Sequence, residues 1–251
     1  MIGETILSMQ GIHKSFGAKK VHQGVSFELH DGEILALFGG SGTGKSVILR
    51  SLIGLEKPDA GTIMFENRDI ALLGEDDLID VRKKIGYVFQ NGALFDSMSV
   101  EDNLAYPLIE HTDLSDEKIH ARIAEMLDLI GLKGSEKLLP ASLSGGMQKR
   151  VGAARAIILE PKIILYDEPT AGLDPFNTHR LLELMKLIQR TGKKNGAIFV
   201  THDIPSAFQV ADRVAILYNG KIHAIDTTEN IKASKDPFVQ AFIAGEETRG
   251  L

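Results

Sequence analysis

The chain has 251 residues, 43% of them hydrophobic, a formal net charge of -6 and no cysteine, which suits one large α/β domain, with or without an inserted subdomain, and excludes disulfides and thiolate metal sites. The longest apolar runs fall far short of the roughly 20 residues of a spanning helix, and the absence of a dense basic stripe argues against nucleic acid as a partner. The start, MIGETILSMQ, lacks a basic segment and a long apolar run, so no signal peptide is expected and the reading is a soluble intracellular protein, with docking on a membrane protein left open.

Residues 5–38 alternate apolar and polar positions, broken by turn residues at Phe16-Gly17-Ala18 and His30-Asp31-Gly32. This pattern predicts antiparallel strands leading into a buried strand, Ile34-Leu35-Ala36-Leu37-Phe38. Phe16 is placed either to stack on an adenine ring or to pack the hairpin. The next residues are Gly39-Gly40-Ser41-Gly42-Thr43-Gly44-Lys45-Ser46, then Val47 to Ile53 with apolar spacing that suits a helix. Strand, glycine-rich loop, Lys-Ser and helix together form the context of a phosphate-binding P-loop. The glycines let several backbone N–H groups point at one phosphate, and the helix N-terminus adds partial positive charge. Lys45 would charge-pair the β- and γ-phosphates, and Ser46 offers a hydroxyl to Mg²⁺.

Pro58 to Gly61 is a turn and Thr62 to Phe65 a short strand. Ile85 to Phe89 reads as a strand ending at Gln90, which either faces a ligand crevice, where it could bind Mg²⁺ or the attacking water, or is a polar strand terminus. From Asn91 to Leu159 the texture is helical, clearest over Ile119 to Ile130, with Gly131 and Gly134 ending that segment. Leu94, Phe95 and Met98 stand in a polar context, as a docking surface would. Ser144, Gly145 and Gly146 precede a helix from about Lys149 to Glu160, and form either an anion site or an ordinary N-cap.

Ile163 to Glu168 reads as a buried strand ending in two carboxylates, which are costly to bury without a cation. Asp167 suits Mg²⁺ held through water, opposite Ser46, and Glu168 suits orienting or deprotonating the attacking water. Ala171 to Pro175 is a tight turn. Ala197 to Val200 is a further buried strand, ending at Thr201-His202-Asp203, where His202 could reach a γ-phosphate. Ala215 to Ala224 reads as a hairpin around Asn219-Gly220, and Pro237 to Ala244 as a short helix before a polar end. The P-loop, Asp167, Glu168 and His202 are expected at one sheet edge, with the Ser144 loop apart from it in the helical subdomain.

The P-loop, Gln90, the string Leu143-Ser144-Gly145-Gly146-Met147-Gln148, the strand ending Asp167-Glu168 and His202, in that order, resemble the ATPase subunit of ABC transporters over nearly the whole chain. The resemblance implies a P-loop NTPase core, with a RecA-like parallel sheet and an antiparallel β subdomain over residues 1–90 and 160–226. It also implies an inserted α-helical subdomain over 91–159 and a tail over 227–251, the whole forming one ATPase domain. It implies ATP and Mg²⁺ as cofactors. It matches Gly39 to Ser46 to the Walker A loop, Gln90 to the Q-loop glutamine, and Ser144, Gly145 and Gly146 to the signature. Asp167 and Glu168 match Walker B and the catalytic base, Ala171 to Asp174 the D-loop, His202 the switch histidine and Phe16 the adenine-stacking aromatic. Tyr166 departs from the apolar residue usual there, and its buried hydroxyl needs a partner.

Phe89 to Phe95, Asn103 to Leu108, Glu110 to Thr112 and Asp236 to Phe242 are similar to ATPases of the Mla type. These drive phospholipid traffic between the inner and outer membranes with an MCE-domain lipid-binding protein, and plastid and mycobacterial MCE systems look alike. The resemblance implies a homodimer of ATPase subunits on permease subunits, at the cytoplasmic face of the inner membrane, with no nucleic acid partner. Alternatives are the ATPase of a small-solute importer and a cell-division ABC subunit. One cassette without a heptad run disfavours the DNA-repair and translation-factor branches.

Overall fold

Apolar residues at Leu7 and Met9 begin β1 (Thr5–Phe16) on a core-facing phase; a register shift after Met9 lets Ile12 rejoin the same core, so strict alternation is reset once within the strand. The computed structural model describes residues 3–191 and 195–246. In chain order β2 (Lys19–His30), β3 (Ile34–Phe38), α1 (Lys45–Leu52), β4 (Ala60–Phe65), β5 (Arg68–Asp69) and α2 (Glu75–Lys83) follow. Next come β6 (Ile85–Val88), α3 (Val100–His111), α4 (Asp116–Leu129), α5 (Gly145–Ile157), β7 (Ile163–Asp167) and α6 (Pro175–Thr191). The chain ends with β8 (Gly196–Val200), α7 (Ile204–Val210), β9 (Arg213–Tyr218), β10 (Lys221–Thr227), α8 (Thr228–Lys232) and α9 (Pro237–Ala244). The architecture is the α/β P-loop NTPase fold.

Two compact units divide the chain: Met1–Gly74 with Gly196–Leu251, and Glu75–Asn195. In the first, an antiparallel sheet has the order β2-β1-β4-β5, and a second sheet runs β10-β9-β3-β8. β3 is buried along its length and parallel to both β8 and β9, as expected of a strand covered on both faces. β10 closes the edge antiparallel to β9. Phe38 meets Phe208 of α7 edge-on and Phe242 of α9, with ring centroids 6.0 and 6.2 Å away. Asp236 caps α9 through Phe238 N–H, Pro237 occupies its first turn and Gly245 ends it in the left-handed conformation.

In the second unit β6 and β7 pair in parallel. The helical texture of residues 91–159 resolves into α3, α4 and α5, while the compact unit that holds them is wider. α4 buries Ile119, Ile123, Met126 and Leu127, the spacing of one helical face. A Ser99–Asp102 capping box starts α3. Arg150 of α5 is buried and donates to the Ile130 carbonyl at the end of α4 at 2.8 Å, so its charge is spent on an orphan helix carbonyl. Among the described residues no helix is long and apolar enough to cross a membrane.

Candidate functional site

In the first unit Leu37 of β3 lies opposite Val200 of β8 in parallel register, so the P-loop and Thr201-His202 leave the same sheet edge. Gly44 sits at φ 102°, where an L side chain is strained, and a Cβ there would lie 2.5 Å from Val21 Cγ1 and 2.6 Å from His22 Nε2. A Cβ on Gly39 would lie 2.7 Å from Thr43 Oγ1 and 2.9 Å from the Leu217 carbonyl oxygen. The loop is therefore held close to the β1–β2 hairpin on one side and β9 on the other, with glycine at both contacts. Gly44 is the N-cap of α1 and supplies no side-chain hydrogen bond, so the first-turn N–H groups face the loop. Lys45 Nζ folds back and donates to the carbonyls of Gly39 and Gly40 at 2.8 and 3.1 Å. Thr43 Oγ1 donates to the Gly40 carbonyl at 2.9 Å. Ser41, Gly42 and Ser46 are exposed on this surface. Backbone N–H groups at a helix start, the Lys45 ammonium and the exposed Ser46 hydroxyl fit a polyphosphate with its cation.

His22 lies under the loop, 1% exposed, with Nε2 against the Gly44 carbonyl at 3.1 Å and Nδ1 buried without a hydrogen-bond partner. Burial pulls its imidazole below the ordinary value, against a smaller upward pull from the Gly44 hydrogen bond. Phe16 does not pack the hairpin core: it stands 45% exposed at the end of β1, with Lys14 Nζ 5.1 Å from its ring centroid. His202 is exposed, while Thr201 beneath it is buried and its Oγ1 accepts from Asp203 N–H at 3.0 Å.

In the second unit Val88 lies opposite Tyr166 in parallel, so Gln90 and the Asp167-Glu168 pair leave the same ends of their strands. Gln90 is exposed in a turn beyond β6. β7 ends at Asp167, one residue earlier than expected, because Glu168 has φ 49° and cannot extend the strand. Glu168 opens a turn closed by Ala171 N–H on its carbonyl at 3.2 Å. Tyr87 hydroxyl donates to Asp167 Oδ2 at 2.8 Å. Tyr166 is fully buried, which pushes its phenol well above the ordinary value.

Ser144 N-caps α5, its Oγ accepting from Met147 N–H at 3.3 Å, and it stays exposed together with Gly145. Gly146 is buried against Asn177. Lys149, one further turn along α5, is 8% exposed and donates to the Pro169 carbonyl at 3.0 Å and to the Ala171 carbonyl. A separate exposed apolar group comprises Phe95, Tyr106 and Ile109, with Leu94 and Met98 half-buried beside it in sequence. Its loop is held from below by fully buried Asn103, which accepts from Phe95 N–H at 2.9 Å and donates to the Phe95, Met98 and Ser99 carbonyls. Arg155 donates to the Ala93 carbonyl at 2.8 Å and lies over the Phe95 ring at 5.2 Å.

Tyr87, Lys149, His22, Asn103 and Arg155 contact the candidate residues or their loops and have no motif of their own in the sequence. Tyr87 is half-buried, and its hydroxyl takes Asp167 as partner.

Residues 22–171 match the family described as ABC transporter. The chain is 40% identical over 239 residues to "Probable ribonucleotide transport ATP-binding protein mkl" of Mycobacterium leprae, covering 95% of this chain and 69% of that one. It is 38% identical over 242 residues to "Intermembrane phospholipid transport system ATP-binding protein MlaF" of Escherichia coli K12, covering 96% of this chain and 89% of that one. This chain thus spans about two thirds of the length of the mycobacterial relative. Among solved structures, the dimeric post-hydrolysis state of the ATP-binding cassette MJ0796 bound to ADP and Pi aligns with a TM-score of 0.80 and 30% identity, over 88% of this chain and 98% of that one.

Proposed function

The chain belongs to the ABC transporter family and is one of its ATPase cassettes; from that premise we propose that it powers phospholipid transport between the inner and outer membranes, with permease subunits and an MCE-domain protein. The observation that carries the nucleotide reading is the glycine cradle over the uncapped start of α1, with the Lys45 ammonium lying across it. In our assignment the N–H groups of Gly39 to Ser46 bind the β- and γ-phosphates, Lys45 neutralises them and Phe16 stacks on the adenine. Ser46, with Gln90 and Asp167 directly or through water, would hold Mg²⁺, a hard cation suited to hydroxyl, amide and carboxylate oxygens. Glu168 is the base for the attacking water and His202 the sensor of the γ-phosphate. The bound ion supplies charge neutralisation on the phosphates.

The working unit is a head-to-tail homodimer, in which the Ser144-Gly145-Gly146 loop of each copy closes on the nucleotide held by Lys45 of the other. A two-fold axis repeats the contact, so ATP joins the copies and hydrolysis releases them. The exposed Phe95, Tyr106 and Ile109 group is the docking surface for the permease, at the cytoplasmic face of the inner membrane.

A second reading, an importer ATPase for a small polar solute, is favoured by the name of the mycobacterial relative. The two are separated by reconstituting the ATPase with its own membrane subunits in proteoliposomes. ATP-dependent transfer of labelled phospholipid, lost on Glu168→Gln, is expected. Uptake of a ribonucleotide with no lipid transfer would replace the lipid assignment with the solute one.

A further inference from the structure

A lysine buried beside a catalytic carboxylate is an expensive group to keep, because desolvation disfavours its charge unless every N–H finds an acceptor. Lys149 is such a group. Its ammonium donates to the carbonyls of Pro169 and Ala171, both in the turn that Glu168 opens. Burial pulls it below the usual range for lysine, and the Glu168 carboxylate pulls the other way. Glu168 itself sits at φ 49°, a backbone state that a glutamate holds only when its surroundings impose it.

The same helix packs closely against the far end of this segment. Asp174 caps α6 by accepting from the N–H groups of Phe176 and Asn177 at 3.0 and 3.1 Å, and the Asn177 amide also donates to it. A Cβ on Gly146 would lie 2.6 Å from Asn177 Oδ1, so α5 approaches this corner as closely as only glycine allows. Residues 168–177 are thus hydrogen-bonded to α5 through Lys149 near one end and packed against its Gly146 at the other, and the N-cap of α5 is Ser144. About five residues of helix, roughly 7.5 Å, separate Ser144 from Lys149.

We propose that Lys149 is a positioning residue that ties the signature helix to the Glu168 turn, so that the orientation of the hydrolytic carboxylate follows the placement of Ser144. This rests on the ATPase reading above. Lys149 does not touch nucleotide in this assignment; it acts on the rate through Glu168 alone.

The test is steady-state and single-turnover ATPase kinetics on the full chain. Lys149→Met keeps the length and loses the donors; it is expected to lower kcat at least tenfold while KM for ATP stays within twofold. Lys149→Gln restores one donor and is expected to fall between the two, with a melting temperature close to wild type; if Lys149→Met does not fold, Lys149→Gln alone carries the comparison. In a Glu168→Gln background, adding Lys149→Met is expected to leave the residual single-turnover rate within twofold, because the carboxylate being positioned is already gone. A wild-type kcat in both Lys149 variants, a KM that rises in step with the loss of kcat, or a further tenfold loss on top of Glu168→Gln would each overturn the proposal. Failure of the underlying reading shows separately: Glu168→Gln alone would then keep the full rate.

Discussion

The Tyr87 hydroxyl donates a 2.8 Å hydrogen bond to Asp167 Oδ2, joining two neighbouring parallel strands at the carboxylate assigned to Mg²⁺. Tyr87 is itself fixed by stacking on Phe89, with centroids 4.3 Å apart. A donor on one oxygen orients the carboxylate for its ion, as partners of metal ligands commonly do. Tyr87→Phe removes only that oxygen. We expect the half-saturating Mg²⁺ concentration for ATPase activity to rise about 10-fold, the low end for loss of such a partner, with near-normal turnover at saturating Mg²⁺. A Mg²⁺ titration of the variant checks this, and an unchanged midpoint would remove Tyr87 from the site.

Lys45→Ala takes away the ammonium that lies over the P-loop carbonyls. A charged hydrogen bond contributes about 1.5–3 kcal/mol, so the Kd for ATP should rise on the order of 10- to 100-fold. Hydrolysis should fall below detection. Titration with a fluorescent ATP analogue measures the first and phosphate release the second. Wild-type turnover in Lys45→Ala would remove the P-loop assignment.

Acidification should loosen the P-loop through His22. Its folded-state pKa lies below the unfolded value of 6.5, so the unfolded chain takes up the proton first. Stability from this group is therefore complete above about pH 6.5 and is lost as pH falls below that value toward the folded pKa. Protonation would also bury a donor at Nδ1 with nothing to accept from it. Melting temperatures from pH 7.5 to 5 should drop more for wild type than for His22→Gln, which can still donate toward the Gly44 carbonyl. Parallel curves for the two proteins would show that His22 carries no pH dependence.

Elements with a complete local signal were legible in the sequence. Asp236 and Pro237 begin α9 and Gly245 ends it, and the helix is found over Pro237–Ala244 as expected. Alternation and turn residues located β1, β2 and β3 in the same way. α2 escaped because it opens on an acidic first turn and the whole helix buries only Leu78 and Val81, too few to show a period. α6 escaped because Asp174, which caps it, reads equally well as part of the preceding tight turn. The P-loop glycines were legible from their strand–loop–helix context, and Ser144, Gly145 and Gly146 only through their resemblance to a signature string, since alone they read equally as an N-cap. Tyr87, Lys149 and His22 were not, since each acts on a backbone or carboxylate group 80, 20 and 22 residues away, and only the tertiary pairing reveals it.

The Phe95 surface should be separable from the nucleotide site. Phe95 is 43% exposed and meets Tyr106 edge-on, with centroids 5.3 Å apart. Phe95→Asp places a charge in this apolar group. ATP binding by the isolated subunit should stay within twofold of wild type, while copurification with the permease is lost. Retained copurification would move the docking surface elsewhere.

The composite nucleotide site is tested most directly by sedimentation of Glu168→Gln with and without Mg-ATP. This variant should bind ATP and stall before hydrolysis, because the amide cannot accept a proton. We expect monomer without nucleotide and dimer with Mg-ATP. Adding Ser144→Arg, which crowds the exposed N-cap of α5, should return the protein to monomer at the same ATP occupancy. Dimer that persists in Glu168→Gln with Ser144→Arg would contradict a site completed by the signature loop of the second copy.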